Sequence, residues 1–431
     1  MNIINVIEDD KDKLFTLEDS KTSFVLIEKG NINNSSKNNK KKDADKNYGF
    51  LTLSYKELYS SNDLFKHVIN HVDYFFANNQ KNKENEKKFK NIKKIEEFIH
   101  QNKFTEDILK VILLNGIPTE LTCLRPLIWK SFLGYYPNND LSKWINITQY
   151  YNRKYKKIME KYPQYPSNLT DQEDLKLLLQ LNKDMPRTRA ELSFFKHNKD
   201  ELFLKKKIDK EKEDEIIENK ETNYDVIKRI LFYFAKEEKL SYVQGMNEFV
   251  ALIYYTFAND DNPFFEEYIE SDTYYCFTLL VKDIEPIFLL NGKNYNELLV
   301  VQKIGMINDI LNEIVPELSN YFKEIDFSID NFIMKWIMAL FTQEFKIDIA
   351  ASFWDRMFTQ ENKMDFICFV SVAILKMSKE QLIGKELDEI SDWTRKMGEN
   401  MRNLDINEII TLSFEIKHKY NEIIKKKKKQ I

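Results

Sequence analysis

Glycine and proline are scarce in this chain, which has only nine of each among its 431 residues. Such scarcity favours helices over the strands and tight turns of all-β proteins. The two nearest glycines, Gly292 and Gly305, are 13 positions apart. Neither a Walker A loop nor the glycine fingerprint of dinucleotide-binding proteins can therefore occur. We expect a helical protein that binds no nucleotide through a glycine loop of its own.

Cysteines and long apolar runs are also few. Cys123, Cys276 and Cys368 lie far apart in apolar surroundings. This arrangement fits neither a disulfide framework nor a zinc site. This usage indicates a reducing compartment. No apolar run reaches the roughly 18 residues of a membrane span. Asp9 and Asp10 stand where a signal peptide would have its apolar core, so we expect a cytoplasmic protein.

The charge balance argues against nucleic acid as a partner, because the formal net charge is only −4. Only eight of the 65 basic residues are arginine. Each is a candidate functional residue, because its planar guanidinium can bond two acceptor atoms at once and lysine cannot. Lys425–Lys429 could attract anionic lipid, although such runs are more often solvated tails. His67 and His71 have helical spacing but no third ligand, so we predict no metal site.

Apolar residues recur at helical spacing from Ile95 onward. No repeat of roughly 34–47 residues is visible, which disfavours a helical-repeat protein. Residues 1–107 form a partly low-complexity, partly disordered extension, rich in asparagine and lysine, and 196–222 form a charged insert. Residues 386–431 are predicted as C-terminal helices and a basic tail. The main predicted helices are Leu64–Phe76, Leu121–Leu133, Leu141–Tyr162, Leu175–Leu181, Tyr224–Ala235, Phe264–Leu289, Tyr295–Ile314, Asn331–Phe345, Ile347–Phe358 and Phe366–Met377.

Two stretches carry the chemistry. Leu240–Asn247 leads into an apolar helical run, with Ser241 as the expected N-cap and Gly245 where the backbone approaches a neighbour closely. This places the Gln244 carboxamide at the start of a rigid element. The second stretch, Leu181–Thr188, carries the Arg187 guanidinium. Pro186 restricts the backbone of this stretch. Taken singly, an arginine near an aspartate is more often a surface ion pair, and a glutamine at a helix start is more often a cap.

Together these stretches and four further motifs resemble the TBC domain, the all-helical catalytic domain of Rab GTPase-activating proteins. The resemblance spans residues 108–385 and looks most like the short subgroup without accessory domains. It implies an all-α fold with two helical lobes. Lys335 departs from the family, which often has arginine there. The motifs, in order, are Gly116-Ile-Pro, Arg125-x-x-x-Trp129, Leu181-x-x-Asp184-x-x-Arg187-Thr188, Tyr242-x-Gln244-Gly-Met-Asn247, the segment from Glu270 to Phe277 with Asp272, and Phe353-Trp354-Asp355.

The resemblance also implies a mechanism with two residues acting in trans. Arg187 would neutralise charge on the γ-phosphate of GTP bound to a Rab, and Gln244 would orient the attacking water. Asp184 would hold the guanidinium or anchor its loop. The residues expected to support these two are Asp184, Thr188, Tyr242, Gly245, Met246 and Asn247, and those expected to support the fold are Arg125, Trp129, Asp272, Trp354 and Asp355.

The implied partner is a GTP-bound Rab, which would itself hold the GTP and Mg²⁺, so the chain needs no cofactor. Membrane association would be peripheral, at endomembranes, through the Rab or weakly through Lys425–Lys429. The alternative is a Rab-binding effector or scaffold that does not accelerate hydrolysis, since the same fold could bind without catalysing.

Overall fold

The computed structural model describes residues 61–79, 92–95, 99, 105–118, 120–136, 140–197, 221–260, 262, 264–288, 298–400 and 405–430. Within these ranges every regular element is a helix, as the all-α fold class requires. Residues 1–60, which include most of the predicted disordered extension, and 198–220 of the charged insert lie outside the described residues.

The α-helices are α1 (Ser61–Asn79), α2 (Glu106–Asn115), α3 (Leu124–Phe132), α4 (Trp144–Lys161), α5 (Gln172–Asp184), α6 (Asn223–Glu237), α7 (Met246–Ala258), α8 (Ile269–Ile284), α9 (Leu299–Ile314), α10 (Pro316–Glu324), α11 (Asp330–Ala339), α12 (Ile347–Phe358), α13 (Lys363–Met377), α14 (Lys379–Leu382), α15 (Leu387–Arg395), α16 (Met397–Asn400) and α17 (Ile406–Gln430). Short 3-10 helices cover Ile92–Lys94, Leu141–Lys143, Met185–Arg187, Ser193–Lys196, Glu266–Tyr268 and Glu285–Ile287.

Helix α7 lies between two sets of helices. It packs against α6 and α8, and also against α3, α11 and α12. Of its 13 residues only Tyr255 is not buried, as expected for a helix that is apolar on nearly every face. The first set includes α4 to α6 and α8, and the second includes α9 to α13 and α17. These sets correspond to the two expected lobes, and the N-terminus of α7 follows directly after Gln244.

Two predicted helices are interrupted. The run Phe264–Leu289 divides into α8 and flanking 3-10 turns, the second of which contains Pro286, a residue that cannot continue a helix. The run Asn331–Phe345 ends at Ala339, because Leu340 and Phe341 adopt positive φ angles of 46° and 59°. The chain therefore turns between Ala339 and α12, whereas the prediction continued the first helix to Phe345.

Helix α3 is attached to α12 through a carboxylate. Asp355 accepts hydrogen bonds from Arg125 Nε and Nη2, both at 3.0 Å, and from Trp129 Nε1 at 2.8 Å. Asp355 is thus a shared partner of Arg125 and Trp129, two residues expected to support the fold. Because Asp355 is fully buried, the arginine supplies the compensating charge that a buried carboxylate needs.

The other residues expected to support the fold are also buried. Asp272 on α8 forms an ion pair with Lys130 and accepts a hydrogen bond from the hydroxyl of Tyr135. Burial raises the pKa of Asp272, and the neighbouring Lys130 opposes that rise. Trp354 Nε1 donates to the carbonyl of Leu340 at 3.2 Å, which attaches α12 to the turn that follows α11.

Candidate functional site

Arg187 projects from a short turn after α5. The helix ends at Asp184, and Met185–Arg187 form one 3-10 turn that contains Pro186. The turn is closed by Thr188, whose amide and hydroxyl both donate to the carbonyl of Asp184, at 3.1 and 2.9 Å. Asp184 and Thr188 are buried, whereas Pro186 and Arg187 are exposed. The guanidinium therefore extends outward from a turn whose two ends are fixed.

Gln244 lies in a second tight turn, directly before α7. The amide of Met246 donates to the carbonyl of Val243 at 3.1 Å, and the amide of Gly245 donates to Asn247 Oδ1 at 3.0 Å. Gln244 is exposed, while Met246 and Asn247 are buried. The carboxamide thus projects from a fixed turn, as the Arg187 guanidinium does.

Two expectations for this turn are wrong. Helix α7 begins at Met246 with Gly245 as its N-cap residue, so the exposed Ser241 does not cap it. Gly245 is needed for its φ of +107°, a conformation that other residues rarely adopt. It is not needed for a close approach to the rest of the described chain, because a Cβ there would meet none of the described residues within 4 Å.

The two turns are joined by four buried side chains, Asp184, Thr188, Tyr242 and Asn247, which we call the clamp. Tyr242 donates its hydroxyl hydrogen to Asp184 Oδ2 at 2.8 Å, and Asn247 Nδ2 donates to Thr188 Oγ1 at 2.8 Å. Burial, reinforced by the bond to Asp184, raises the pKa of Tyr242, so its hydroxyl stays protonated. Asp184 therefore anchors its loop through Tyr242, and the residues that flank Arg187 bond those that flank Gln244.

The exposed side chains of Arg187 and Gln244 line one groove of about 320 Å³. Among the described residues, neither side chain has a hydrogen bond or ion pair within the protein. Both are thus available to an external ligand. Asp184 and Asn247 of the clamp also line the groove. The Arg187 and Gln244 side chains therefore lie next to the network that fixes their backbones.

Four groove residues were not selected from the sequence: Arg189, Glu191, Glu248 and Gln343. Arg189 is buried and forms an ion pair with Glu248, Nε to Oε2, at 3.1 Å. Burial raises the pKa of Glu248 to about 7, although Arg189 opposes that rise. The signal that could have found this pair is Glu248 itself, an acidic residue within an apolar helix, because a buried carboxylate needs a cationic partner.

No set of three or more His, Cys, Asp or Glu side chains is placed to hold a metal ion within the described ranges. His67 and His71 lie together on α1, with their ring centres 4.2 Å apart. As for membranes, the described helices include none with the length and apolar character needed to cross one.

Comparison with known proteins gives consistent matches. The family described as the Rab-GTPase-TBC domain matches residues 122–383. TBC1 domain family member 13 from Homo sapiens is 34% identical over 164 residues, which are 38% of this chain and 41% of that protein. GTPase-activating protein GYP7 from Candida glabrata is 21% identical over 337 residues, 75% of this chain and 42% of that protein. The alignments therefore span about two fifths of these curated relatives.

Among solved structures, the Ypt/Rab-GAP domain of Gyp1p superposes with a TM-score of 0.59 at 19% identity. The superposition covers 76% of this chain and 97% of that domain. At this identity the likeness shows a shared fold.

Proposed function

The chain belongs to the Rab-GTPase-TBC domain family, and from this membership we propose that it accelerates GTP hydrolysis by a partner Rab GTPase. The observation that carries the proposal is the groove, where an exposed guanidinium and an exposed carboxamide extend from two turns that the clamp joins. Backbones fixed in this way lose little conformational freedom on docking, which favours the use of the two side chains in positioning and charge stabilisation.

Arg187 supplies the positive charge in this proposal. Negative charge spreads over the γ-phosphate oxygens during phosphoryl transfer, and an arginine provided in trans accelerates the reaction by about 10³–10⁵-fold. This corresponds to roughly 4–7 kcal/mol of barrier. A guanidinium suits the task because it stays protonated and can bond two oxygens at once. Since no internal partner among the described residues must be released, docking does not require an ion pair to break.

Gln244 orients the attacking water. Its carboxamide both accepts and donates hydrogen bonds, so its oxygen can accept from the water while its nitrogen donates to a neighbouring acceptor. The Gly245 φ of +107° turns the backbone immediately after Gln244, and Asn247 holds this turn by accepting from the Gly245 amide. A small displacement of such a group costs on the order of 10²-fold in rate, which explains why the turn is so extensively bonded.

The partner in this proposal is the GTP-bound Rab, which contributes GTP and Mg²⁺, and the chain itself uses no cofactor. We further propose that it acts in the cytoplasm and at endomembranes, in vesicle traffic, where it is brought to the surface by its Rab. Lys425–Lys429 lie in the last turns of α17. They would add a weak electrostatic attraction to anionic lipid.

The test is single-turnover GTP hydrolysis with a panel of purified, GTP-loaded Rabs. Wild-type protein should accelerate at least one of them. Arg187→Ala should lose about 10³-fold or more of that acceleration, and Arg187→Lys should recover little of it, because a point charge cannot bond two oxygens in a plane. Gln244→Ala should lose about 10²-fold.

Matched controls separate these effects from general damage. Arg395→Ala removes an arginine that is 74% exposed on α15, and Gln302→Ala removes an exposed glutamine on α9. Both controls should behave as wild type. If Arg187→Lys and Gln244→Ala also match wild type, the mechanism is wrong. Binding to GTP-loaded Rab without any acceleration would instead support a non-catalytic effector or scaffold.

A further inference from the structure

A third turn faces the same groove from the second set of helices. It runs from Leu340 to Phe345, between α11 and α12, and it presents Gln343 to the groove. The neighbours of Gln343 on both sides, Thr342 and Glu344, are buried, while Gln343 itself is exposed. The exposed pair Pro186 and Arg187 is similarly flanked by buried residues, Met185 and Thr188.

Arg189 attaches this third turn to the Arg187 segment. Its Nη1 donates to the carbonyl of Phe345 at 2.8 Å, and its Nη2 donates to the carbonyl of Thr342. These two carbonyls lie on either side of Gln343. The remaining nitrogen, Nε, faces Glu248 of α7 at 3.1 Å. One buried guanidinium therefore connects the Arg187 segment, the Gln343 turn and the central helix.

The backbone of both segments is unusual. Four described residues other than glycine have positive φ, and three of them, Arg189, Leu340 and Phe341, lie in these two segments. Such conformations are strained and are found preferentially at functional sites. Here they accompany a guanidinium that is only 5% exposed. The surrounding contacts thus hold the Gln343 turn in one shape.

We propose that Gln343 contacts the partner GTPase beside its bound triphosphate, and that Arg189 is the positioning residue that holds the Gln343 turn. This inference rests on the proposed function. A ligand that reaches both Arg187 and Gln244 in a groove of about 320 Å³ also meets Gln343, which lines the same space. The carboxamide donates and accepts hydrogen bonds, so it suits the polar surface of a GTPase close to its nucleotide.

Steady-state kinetics with the most responsive GTP-loaded Rab test the proposal. Gln343→Ala should lower kcat/KM by about threefold to tenfold, the loss expected for one hydrogen bond, mainly through KM. Gln343→Glu should lower it further, because a carboxylate would approach the triphosphate. Arg189→Lys keeps a positive charge near Glu248 but cannot bond two carbonyls at once, so it should reproduce the KM effect of Gln343→Ala.

A double variant distinguishes positioning from damage to the fold. If Arg189 acts through Gln343, Arg189→Lys combined with Gln343→Ala should raise KM no more than the larger single effect. Multiplying effects would overturn the role of Arg189. Gln302→Ala is the matched control and should leave KM unchanged.

The outcomes also separate this proposal from the function on which it rests. If wild type accelerates hydrolysis and both Gln343→Ala and Gln343→Glu keep the wild-type kcat/KM, only the Gln343 contact is overturned. An absence of acceleration by wild type with every Rab would overturn the proposed function and the contact with it.

Discussion

Replacing Tyr242 with phenylalanine tests whether the clamp positions the two exposed side chains. The change deletes the hydroxyl that donates to Asp184 Oδ2 at 2.8 Å. Tyr242 and Asp184 are each only 7% exposed, so water cannot readily replace the lost donor. A hydrogen bond to a charged group contributes about 1.5–3 kcal/mol. We therefore expect the free energy of unfolding, measured in urea, to fall by about 2 kcal/mol.

The kinetic effect should be larger than the stability effect suggests. The bond from Asn247 to Thr188, 2.8 Å long in the wild type, does not involve the Tyr242 hydroxyl, so the two turns stay attached but lose one of the two clamp hydrogen bonds that join them. A displacement of about 1 Å between reacting groups costs on the order of 10²-fold in rate. We expect Tyr242→Phe to lower kcat for stimulated GTP hydrolysis by about 10- to 100-fold at saturating Rab. Burial raises the pKa of Tyr242, so this loss should not depend on pH near neutrality.

Tyr136→Phe is the matched control. Tyr136 is buried in the core, and its hydroxyl shares a hydrogen bond with Thr148 Oγ1 at 2.7 Å, but it does not line the groove. This variant should lose stability while keeping the wild-type kcat. If Tyr242→Phe also keeps the wild-type kcat despite a comparable loss of stability, the clamp supports only the fold and the positioning role is refuted.

Two further predictions concern the backbone and pH. Gly116→Ala should destabilise the protein more than Gly245→Ala in urea unfolding. Both have positive φ, but among the described residues only a Cβ at Gly116 would meet another group, the Arg356 guanidinium at 2.5 Å. Equal losses, or a loss for Gly245→Ala far from roughly 1–2 kcal/mol, would contradict this reasoning. Burial raises the pKa of Glu248 from 4.5 to about 7. The folded state thus holds this proton more tightly, and the stabilisation it brings is lost as pH rises from about 4.5 to about 7. Glu248→Gln should flatten that part of the pH dependence of unfolding, and an unchanged slope would show that Glu248 titrates normally.

Helical periodicity predicted the elements well where packing follows the local pattern. The predicted helix Ile347–Phe358 coincides with α12, because its apolar face continues without interruption. The run Asn331–Phe345 failed for the opposite reason. Leu340 and Phe341 have positive φ, but both are apolar residues compatible with a helix, and no glycine, proline or asparagine marks the turn. Here tertiary contacts override local preference, as the bonds from Arg189 and Trp354 to this turn show.

The residues of the clamp were expected from the family resemblance, but their pairing was not. Tyr242 bonds Asp184 across 58 positions, and Asn247 bonds Thr188 across 59. No periodicity connects such distant positions, and the sequence alone left open whether Asp184 holds the guanidinium or the loop. The structure answers that question because Asp184 is buried and bonded to Tyr242, whereas the Arg187 side chain is exposed above it.

Arg189 and Gln343 differ in how far a sequence could have revealed them. A glutamate within an apolar helix requires a buried cation, and a chain with only eight arginines offers few candidates, so the pair of Glu248 with Arg189 was within reach. The other partners of Arg189 are the backbone carbonyls of Thr342 and Phe345, 153 and 156 positions away. Every residue has a backbone carbonyl, so the side chains in a sequence do not show which carbonyl a distant arginine will bond. The presentation of Gln343 depends on these bonds, so only a structure could place that side chain beside Arg187 and Gln244.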